Sequence, residues 1–363
     1  MRMKQLDAIR AFAILLVMVQ HFGGRAVNAA FPIGAGSIGV GCFFTLSGFL
    51  ITGNLLESFD ARPGRMWTAW RNFYARRLLR LMPAYYAVLA ALVLFGIEPI
   101  ASSWPWHAAY LTNVWIALGH HSNVFWSLAV EEQFYLLWPF AIALVPRRWL
   151  VPVVLAMIAG ELAFRLCVVL GGFDTRATSR LLFANLTLLA AGCMLALVSY
   201  REHRANDFGW HRGTAARAFA TAACGALALA VIVWAILPKE GDLVRYFANN
   251  VLCGVFYAWV VAQAAIGVTG PAGRVLDNAI LQYVGRISYG LYLVHDWMRA
   301  IVERLFGTMP RYLEGLLVLV LTFAICAASW RFFEKPILDL KRYLRGNRAQ
   351  PEAEAAVTEP AGA

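Results

Sequence analysis

Two adjacent glutamates lie inside an otherwise apolar segment, WSLAVEEQFYLLWPF at residues 126–140. Ser127 and Glu131 are four residues apart and share one face of a helix, whereas Glu132 points about 100° away. Carboxylates within a membrane are costly and are usually functional or paired. One glutamate would suffice to complement a helix dipole. Two glutamates, with His21 expected at the same depth, weaken this structural interpretation and favour a chemical role such as orienting the histidine.

A histidine and an arginine occupy one face of the first apolar segment, LDAIRAFAILLVMVQHF. Arg10 and His21 are separated by about three helical turns, or roughly 16 Å along the axis. Neutral imidazole is the usual general base near neutral pH, so His21 is a candidate base. The alternative is a packed histidine, with Arg10 reaching toward the inner interface.

Arginines crowd the segment WRNFYARRLLRLMPAYY, where Arg76 and Arg80 share a helical face. Arg71 and Arg77 lie in the same stretch. The cluster either anchors the chain at the cytoplasmic surface or binds a phosphorylated cytoplasmic ligand, because guanidinium forks match phosphate.

The segment GVGCFFTLSGFLIT is rich in small residues, namely Gly39, Gly41, Ser47 and Gly48. Small side chains allow two helices to approach closely. The same lack of side chains would also leave room for a thin ligand. The pattern alone does not choose between the two interpretations.

The composition is that of a membrane protein. The 363 residues are 60% hydrophobic and 15% charged, with a mean hydropathy of +0.60, whereas soluble domains are about half apolar and a quarter charged. We attribute the formal charge of +11 to arginine-rich cytoplasmic loops and exclude nucleic acid as a partner. The six cysteines lie in apolar stretches without metal-ligand spacing, so we expect no disulfide and no metal site.

Apolar segments close to the roughly 20 residues of a spanning helix predict an all-α polytopic protein with about ten transmembrane helices. They cover residues 6–23, 36–55, 81–98, 124–145, 149–170, 180–199, 216–237, 246–267, 281–303 and 312–332. The basic start lacks a small-residue cleavage site, so we expect a first spanning helix and not a removable signal.

Lysine and arginine are concentrated in the segments that face the cytoplasm if both termini are inside, which predicts an N-in, C-in topology. The aromatic loop between the third and fourth spans has neither residue type and is expected at the outer interface. We predict a membrane domain over residues 1–345. Residues 346–363, rich in Ala, Pro and Glu, are predicted to form a disordered cytoplasmic tail.

The order of these motifs resembles the membrane acyltransferase-3 family over about residues 1–345. The resemblance is carried by the Arg10–His21 spacing, FFTLSGFLI at 43–51, Arg76 and Arg80, WSLAVEEQFYLLWP at 126–139, ISYGLYLVH at 287–295 and FFEKPI at 332–337. Two departures stand out. Gly41 occupies a position that is often acidic in the family, and LYLVHDW keeps His295 but lacks a common proline.

The resemblance implies a multi-pass inner-membrane O-acyltransferase, most simply an O-acetyltransferase. It would move an acyl group from cytoplasmic acyl-CoA, such as acetyl-CoA, to a hydroxyl of an extracytoplasmic glycan or related acceptor, with no permanently bound cofactor and no metal. Lipids would surround it. The resemblance assigns catalysis to His21, Glu131 and Glu132, and donor binding to Arg10, Ser47, Gly48, Arg76 and Arg80.

His295 is a second, lower-ranked acid–base candidate. Direct transfer and a transient acyl-histidine both fit the sequence. Many relatives carry a fused esterase-like outer domain that this sequence lacks, so we expect that the membrane part suffices or that a separate periplasmic partner completes the reaction. The competing functions are a transporter or flippase of a glycan or lipid-linked intermediate, and a scaffold of an export complex. Neither requires acyl-CoA.

Overall fold

The computed structural model describes residues 3–23, 30–31, 33–61, 66–205, 213–236, 243–307 and 309–341, and the tail predicted over 346–363 lies outside these ranges. The described chain is helical and contains no strand. In order, the helices are α1 (Lys4–Phe22), α2 (Ala35–Asp60), α3 (Met66–Leu94), α4 (Ile100–Ala108), α5 (Thr112–Ala117), α6 (Phe125–Leu144), α7 (Leu150–Leu170), α8 (Thr175–Thr178), α9 (Leu186–Ala205), α10 (Gly213–Ile236), α11 (Leu243–Ile266), α12 (Gly270–Leu276), α13 (Ala279–Phe306), α14 (Arg311–Ser329) and α15 (Lys335–Asp339).

Long helices lie at all the predicted spans. In the described part of the chain, ten helices have 19 residues or more. Eight helical segments there are long and apolar enough to cross a membrane. The long helices outside that set are α6 and α13, which carry Glu131 and His295. The prediction of an all-α polytopic membrane protein is confirmed.

The third spanning helix begins earlier than its hydropathy indicates. The apolar run predicts residues 81–98, whereas α3 covers Met66–Leu94. The stretch before residue 81 contains straight-chain Arg and Leu residues, which favour helix, and no Gly or Pro after the helix start. Hydropathy marks where a helix meets lipid and not where it begins. The arginine cluster is therefore held on a regular helix.

The helices α2 and α9 cross with their backbones in close contact. A Cβ atom on Gly48 would collide with the carbonyl of Leu189, and one on Gly192 with the carbonyl of Thr45. The short distance lets the Thr45 hydroxyl donate to the carbonyl oxygen of Leu188 at 3.1 Å. Gly48 thus serves close helix packing.

The aromatic loop after α3 folds into α4 and α5 and closes over α3. The Tyr85 hydroxyl donates to the carbonyl oxygen of His107 at 2.8 Å. His107 is fully buried, and its ring nitrogens lie 3.0 Å from the Ser103 hydroxyl and 2.7 Å from the Thr112 hydroxyl. Burial lowers the pKa of His107 to about 4, so this histidine is a neutral structural residue.

Candidate active site

A cavity of about 510 Å³ lies between α1, α2, α3, α6 and α13. Its walls carry Arg10, Arg76, Arg77 and Arg80, and we name it the arginine cavity. Arg10 is partly neutralised by Asp7, whose carboxylate oxygen lies 2.7 Å from a guanidinium nitrogen. Glu57 and Glu131 also line the cavity, but the arginines outnumber the carboxylates, which gives the positive charge that phosphate groups require.

The sequence-predicted donor residues divide between this cavity and the helix interior. Arg10, Ser47, Arg76 and Arg80 all line the arginine cavity. Gly48 does not, because it faces α9 at the close crossing. The structure therefore favours the packing interpretation for Gly48 over a role in ligand binding.

Arg77 and Tyr135 also line the arginine cavity. The sequence analysis placed Arg77 in the arginine cluster but not among the donor-binding residues, and it gave Tyr135 no role. The guanidinium carbon of Arg77 lies 4.3 Å from the centroid of the Tyr135 ring. A cation over an aromatic face at this distance is attracted to it. Arg71, in the same stretch of α3, is exposed and outside the cavity. The difference arises because neighbouring residues of a helix project in directions about 100° apart, and the number of arginines in a segment does not show which of them face the cavity.

Glu131 belongs to a hydrogen-bonded triangle on the wall of the arginine cavity. One carboxylate oxygen accepts from the Ser47 hydroxyl at 3.1 Å and the other from the Tyr135 hydroxyl at 2.6 Å. The two hydroxyls are themselves 2.8 Å apart. Glu131 thus fixes the polar groups of this cavity.

Glu132 does not line the arginine cavity, and it does not line the second cavity described below. It lies within electrostatic range of Tyr86 and Tyr110, on the side toward α3 and α5. The two adjacent glutamates therefore face different surroundings, as the 100° rotation between neighbouring helical residues requires.

A second cavity, of about 790 Å³, contains His21 and Asp296 in its wall. We name it the histidine cavity. Its other walls come from α2, α6, α11 and the region of α8, and they are rich in aromatic, amide and arginine side chains. Volumes of this order enclose a substantial part of a small ligand.

His21 is paired with Asp296 of α13. The Nδ1 atom of His21 lies 3.0 Å from a carboxylate oxygen of Asp296, and the two side chains are 35% and 24% exposed. Because a carboxylate only accepts, the neutral imidazole donates to Asp296 from Nδ1, which leaves Nε2 as the basic nitrogen of that form. Such a pair is suited to general base catalysis at the cavity surface.

The carboxylate expected beside His21 was Glu131 or Glu132, and that pairing is not found. Glu131 is bonded to Ser47 and Tyr135 instead, and Asp296 takes the expected position. The physical reason is depth along α6, since Glu131 lies at the arginine cavity and His21 at the histidine cavity. The adjacent His and Asp in LYLVHDW were the sequence signal for this pair.

His295 is the immediate neighbour of the pair. Its ring contacts that of His21 edge to face, with centroids 4.9 Å apart. Nδ1 of His295 donates to the carbonyl oxygens of Leu291 and Tyr292, at 3.1 and 2.9 Å. Its Nε2 atom has no hydrogen-bond partner among the described residues. His295 is fully buried, so it packs behind His21 and does not line the cavity.

The two cavities share a wall. Val40, Phe44 and Tyr292 line both of them, and we name these three residues the partition. The Tyr292 hydroxyl is 2.5 Å from the Ser127 hydroxyl and donates to the Val124 carbonyl oxygen at 3.2 Å. These bonds tie α13 to the start of α6 at the boundary between the cavities.

The helix α13 connects the cavities through residues one turn apart. Ser288 lines the arginine cavity, Tyr292 lines both, and Asp296 lines the histidine cavity. The four-residue steps keep the three side chains on nearly one face. Asn278 caps the start of this helix, its side-chain oxygen accepting from the backbone nitrogen of Ile280 at 2.9 Å.

A protein-family model described as an acyltransferase domain matches residues 3–331. The match covers every residue of both cavities discussed above. No solved structure matches the chain.

Two curated relatives are O-acetyltransferases. The peptidoglycan O-acetyltransferase OatA of Listeria monocytogenes is 27% identical over 370 residues, covering 92% of this chain and 55% of the relative. The O-acetyltransferase OatA of Staphylococcus aureus is 25% identical over 362 residues, covering 92% of this chain and 56% of the relative. The chain thus spans about half the length of the curated relatives it matches.

Proposed function

The chain belongs to the acyltransferase-3 family, and from this premise we propose that it is a multi-pass inner-membrane O-acyltransferase. It transfers an acetyl group, or a related acyl group, from cytoplasmic acyl-CoA to a hydroxyl of an extracytoplasmic glycan or related acceptor. The observation that carries the proposal is the pair of cavities meeting at the partition, one lined by arginines and the other by the His21–Asp296 pair.

The donor enters the arginine cavity from the cytoplasm. Arg10, near the N-terminal end of α1, lines this cavity, and the distribution of Lys and Arg favours a cytoplasmic N-terminus. Arg76, Arg77 and Arg80 bind the phosphates of CoA, because guanidinium groups bind phosphate in a bidentate fashion.

The pantetheine arm extends from the arginines toward the partition. Ser47 and Tyr135, both held by Glu131, line that route. Their hydroxyls offer hydrogen bonds to the two amides of the arm. Glu131 thus acts on the donor through these hydroxyls and not on His21.

The acceptor hydroxyl approaches from the histidine cavity. Nε2 of His21 takes the hydroxyl proton while the oxygen attacks the thioester carbon. A C–O bond forms, the C–S bond breaks, and the CoA thiolate leaves and takes up the proton. Asp296 stabilises the imidazolium while it carries the proton.

A second route uses the same nitrogen. Nε2 of His21 attacks the thioester, the C–S bond breaks, and an acyl-imidazole forms as the CoA thiolate leaves. The acceptor oxygen then attacks the acyl carbon, the C–N bond breaks to restore Nε2, and the hydroxyl proton neutralises the thiolate through solvent. Both routes need the partition to open far enough for the thioester to reach His21. They differ kinetically, since the second releases CoA before acceptor binds.

Mass spectrometry of envelope glycans and secreted metabolites tests the proposal. The strains are a deletion, the deletion with the wild-type protein, and the deletion with His21→Ala or His121→Ala at equal membrane abundance. His121 is exposed and lines neither cavity, so it is the matched control. We expect one species to lose an acyl mass in the deletion and to regain it with wild type and His121→Ala but not with His21→Ala.

Two results would contradict the proposal. Full restoration by His21→Ala removes His21 from the mechanism. An unchanged set of acylated species, with a glycan accumulating inside the cell, supports a transporter instead. We further propose that a separate periplasmic partner takes part in transfer to the final acceptor, and loss of acylation on deleting that partner is the test.

A further inference from the structure

The histidine cavity carries more positive than negative charge. Its described lining includes four arginines and one carboxylate, Asp296, which is bonded to His21. The arginines are Arg165, Arg176, Arg180 and Arg245. Whether they are available to a ligand depends on what each already contacts.

Two of the four arginines are bound within the protein. Arg165 forms a buried ion pair with Glu161, with 2.7 Å between nitrogen and oxygen, and donates to the carbonyl oxygen of Ala184 at 2.7 Å. Arg245 donates to the carbonyl oxygen of Trp234 at 2.8 Å. Its guanidinium carbon lies 4.8 Å from the centroid of the Trp234 ring. Both hold the cavity wall in shape.

The other two arginines of the histidine cavity, Arg176 and Arg180, form no ion pair among the described residues. Arg176 lies on the short α8 and is exposed, whereas Arg180 is half-buried. The guanidinium carbon of Arg180 lies 4.7 Å from the centroid of the Trp126 ring. A stacked guanidinium keeps its planar edge free for a carboxylate or phosphate.

Arg180 is linked to the point of transfer by aromatic contacts. Trp126 meets Phe44 edge to face, with ring centroids 6.0 Å apart. Phe44 is part of the partition and is almost fully buried. A group held on Arg180 is therefore close to the wall through which the acyl group has to pass.

We propose that the acceptor is an anionic sugar, in which a carboxylate or phosphate bound by Arg180 lies on the acylated sugar or on its neighbour. This inference rests on the proposed function and adds the charge of its substrate. A partly desolvated guanidinium without a carboxylate partner favours an anionic ligand, and Asp296 repels an anion from the base itself. The anion thus fixes which hydroxyl faces His21.

The first test is the structure of the acylated species found by comparing the deletion and wild-type strains. We expect a carboxylate or phosphate on the acylated sugar or the adjacent one. An acylated species without an anionic group there overturns the inference and leaves the proposed function intact. If no acylated species differs, the proposed function and the inference fall together.

The second test uses membranes, acetyl-CoA and an acceptor fragment purified from the deletion strain. Carboxyl amidation of one portion and phosphatase treatment of another show which anion matters. With wild type, we expect removal of the relevant charge to raise KM about tenfold, as for loss of a charged hydrogen bond.

Arg180→Gln should raise KM for the untreated fragment to a similar extent, and neutralising the fragment should then have little further effect. The KM of Arg180→Lys should lie between those of wild type and Arg180→Gln, because lysine keeps the positive charge but lacks the two-pronged guanidinium group. Arg274→Gln, on an exposed residue of α12, is the control and should match wild type. Equal KM values for charged and neutral fragments with the wild-type enzyme would overturn the inference.

Discussion

The hydroxyl groups of Ser127 and Tyr292 lie 2.5 Å apart at the boundary between the arginine cavity and the histidine cavity. They join α6 to α13, so removing one hydroxyl should loosen the partition. For Tyr292→Phe we expect more hydrolysis of acetyl-CoA relative to transfer, because water reaches the thioester more easily. Counting CoA released against acceptor acylated measures this ratio.

Tyr283→Phe is the control for that experiment, since Tyr283 is on the same helix and outside both cavities. Tyr292→Phe should also lower the free energy of unfolding by about 1 kcal/mol, the typical net value of one hydrogen bond. A ratio of hydrolysis to transfer equal to that of wild type would mean that this bond does not keep the partition closed.

Asp296→Asn should reduce kcat by about 10²-fold or more, the usual range for loss of acid–base function. The amide cannot stabilise the imidazolium and can turn its NH₂ group toward His21. KM for acetyl-CoA should stay within a few fold, because Asp296 lies outside the donor cavity. Steady-state kinetics in membranes separate the two constants.

Asp296→Glu should recover part of the activity, because the carboxylate remains. The double variant Asp296→Asn with His21→Ala should have the same kcat as His21→Ala alone, because His21 and Asp296 act together as one catalytic pair. If Asp296→Asn retained full kcat, the 3.0 Å contact with His21 would be structural only.

The two glutamates of α6 should differ in their effect on the donor. Glu131→Gln disturbs the hydrogen bonds to Ser47 and Tyr135, so KM for acetyl-CoA should rise several fold. Glu132→Gln is the matched control, because Glu132 lines neither cavity, and its KM should stay close to wild type. Equal effects of the two changes would contradict the role given to Glu131.

The arginine cavity should recognise CoA by its phosphates. Arg76→Gln and Arg80→Gln should each raise KM for acetyl-CoA about tenfold, because each removes charged hydrogen bonds. Dephospho-acetyl-CoA, which lacks the 3′-phosphate, distinguishes the arginine that binds this group. Only the variant that lacks this arginine should use acetyl-CoA and dephospho-acetyl-CoA with equal KM. Arg71→Gln is the control, since Arg71 is exposed and outside the cavity.

His107 should make stability depend on pH. Burial holds its pKa at about 4, below the ordinary value of 6.5, so the unfolded chain binds a proton that the folded protein does not. The contribution of neutral His107 to the free energy of unfolding is complete above about pH 6.5 and is lost as the pH falls toward 4. We expect Tm in detergent to fall over this window.

His107→Asn should have a lower Tm at pH 7, where it loses the bonds to Ser103 and Thr112, and a weaker dependence of Tm on pH below 6.5. The exposed His121→Ala is the control and should keep the wild-type dependence. A wild-type pH profile in His107→Asn would show that another group titrates in this window.

The positions of the long helices could be predicted because each spanning segment is a local property of the chain. Arg10, Ser47, Arg76 and Arg80 were indicated by the family resemblance, and they line one cavity although they belong to three different helices. The pairing of His21 with Asp296 could not, because it depends on how α1 crosses α13. Gly48 was assigned to donor binding by the family resemblance, and only the crossing with α9 shows that it packs against Leu189.

The side chains of Val40 and Phe44 have a consequence for the energy supply of the cell. A permanently open, water-filled passage would conduct protons and ions, and each elementary charge crossing 100 mV dissipates about 2.3 kcal/mol. As long as the side chains of Val40 and Phe44 keep the two cavities apart, no continuous water-filled passage joins them and the membrane would stay an electrical insulator. We therefore expect acyl groups to cross while the voltage that drives transport and ATP synthesis is preserved.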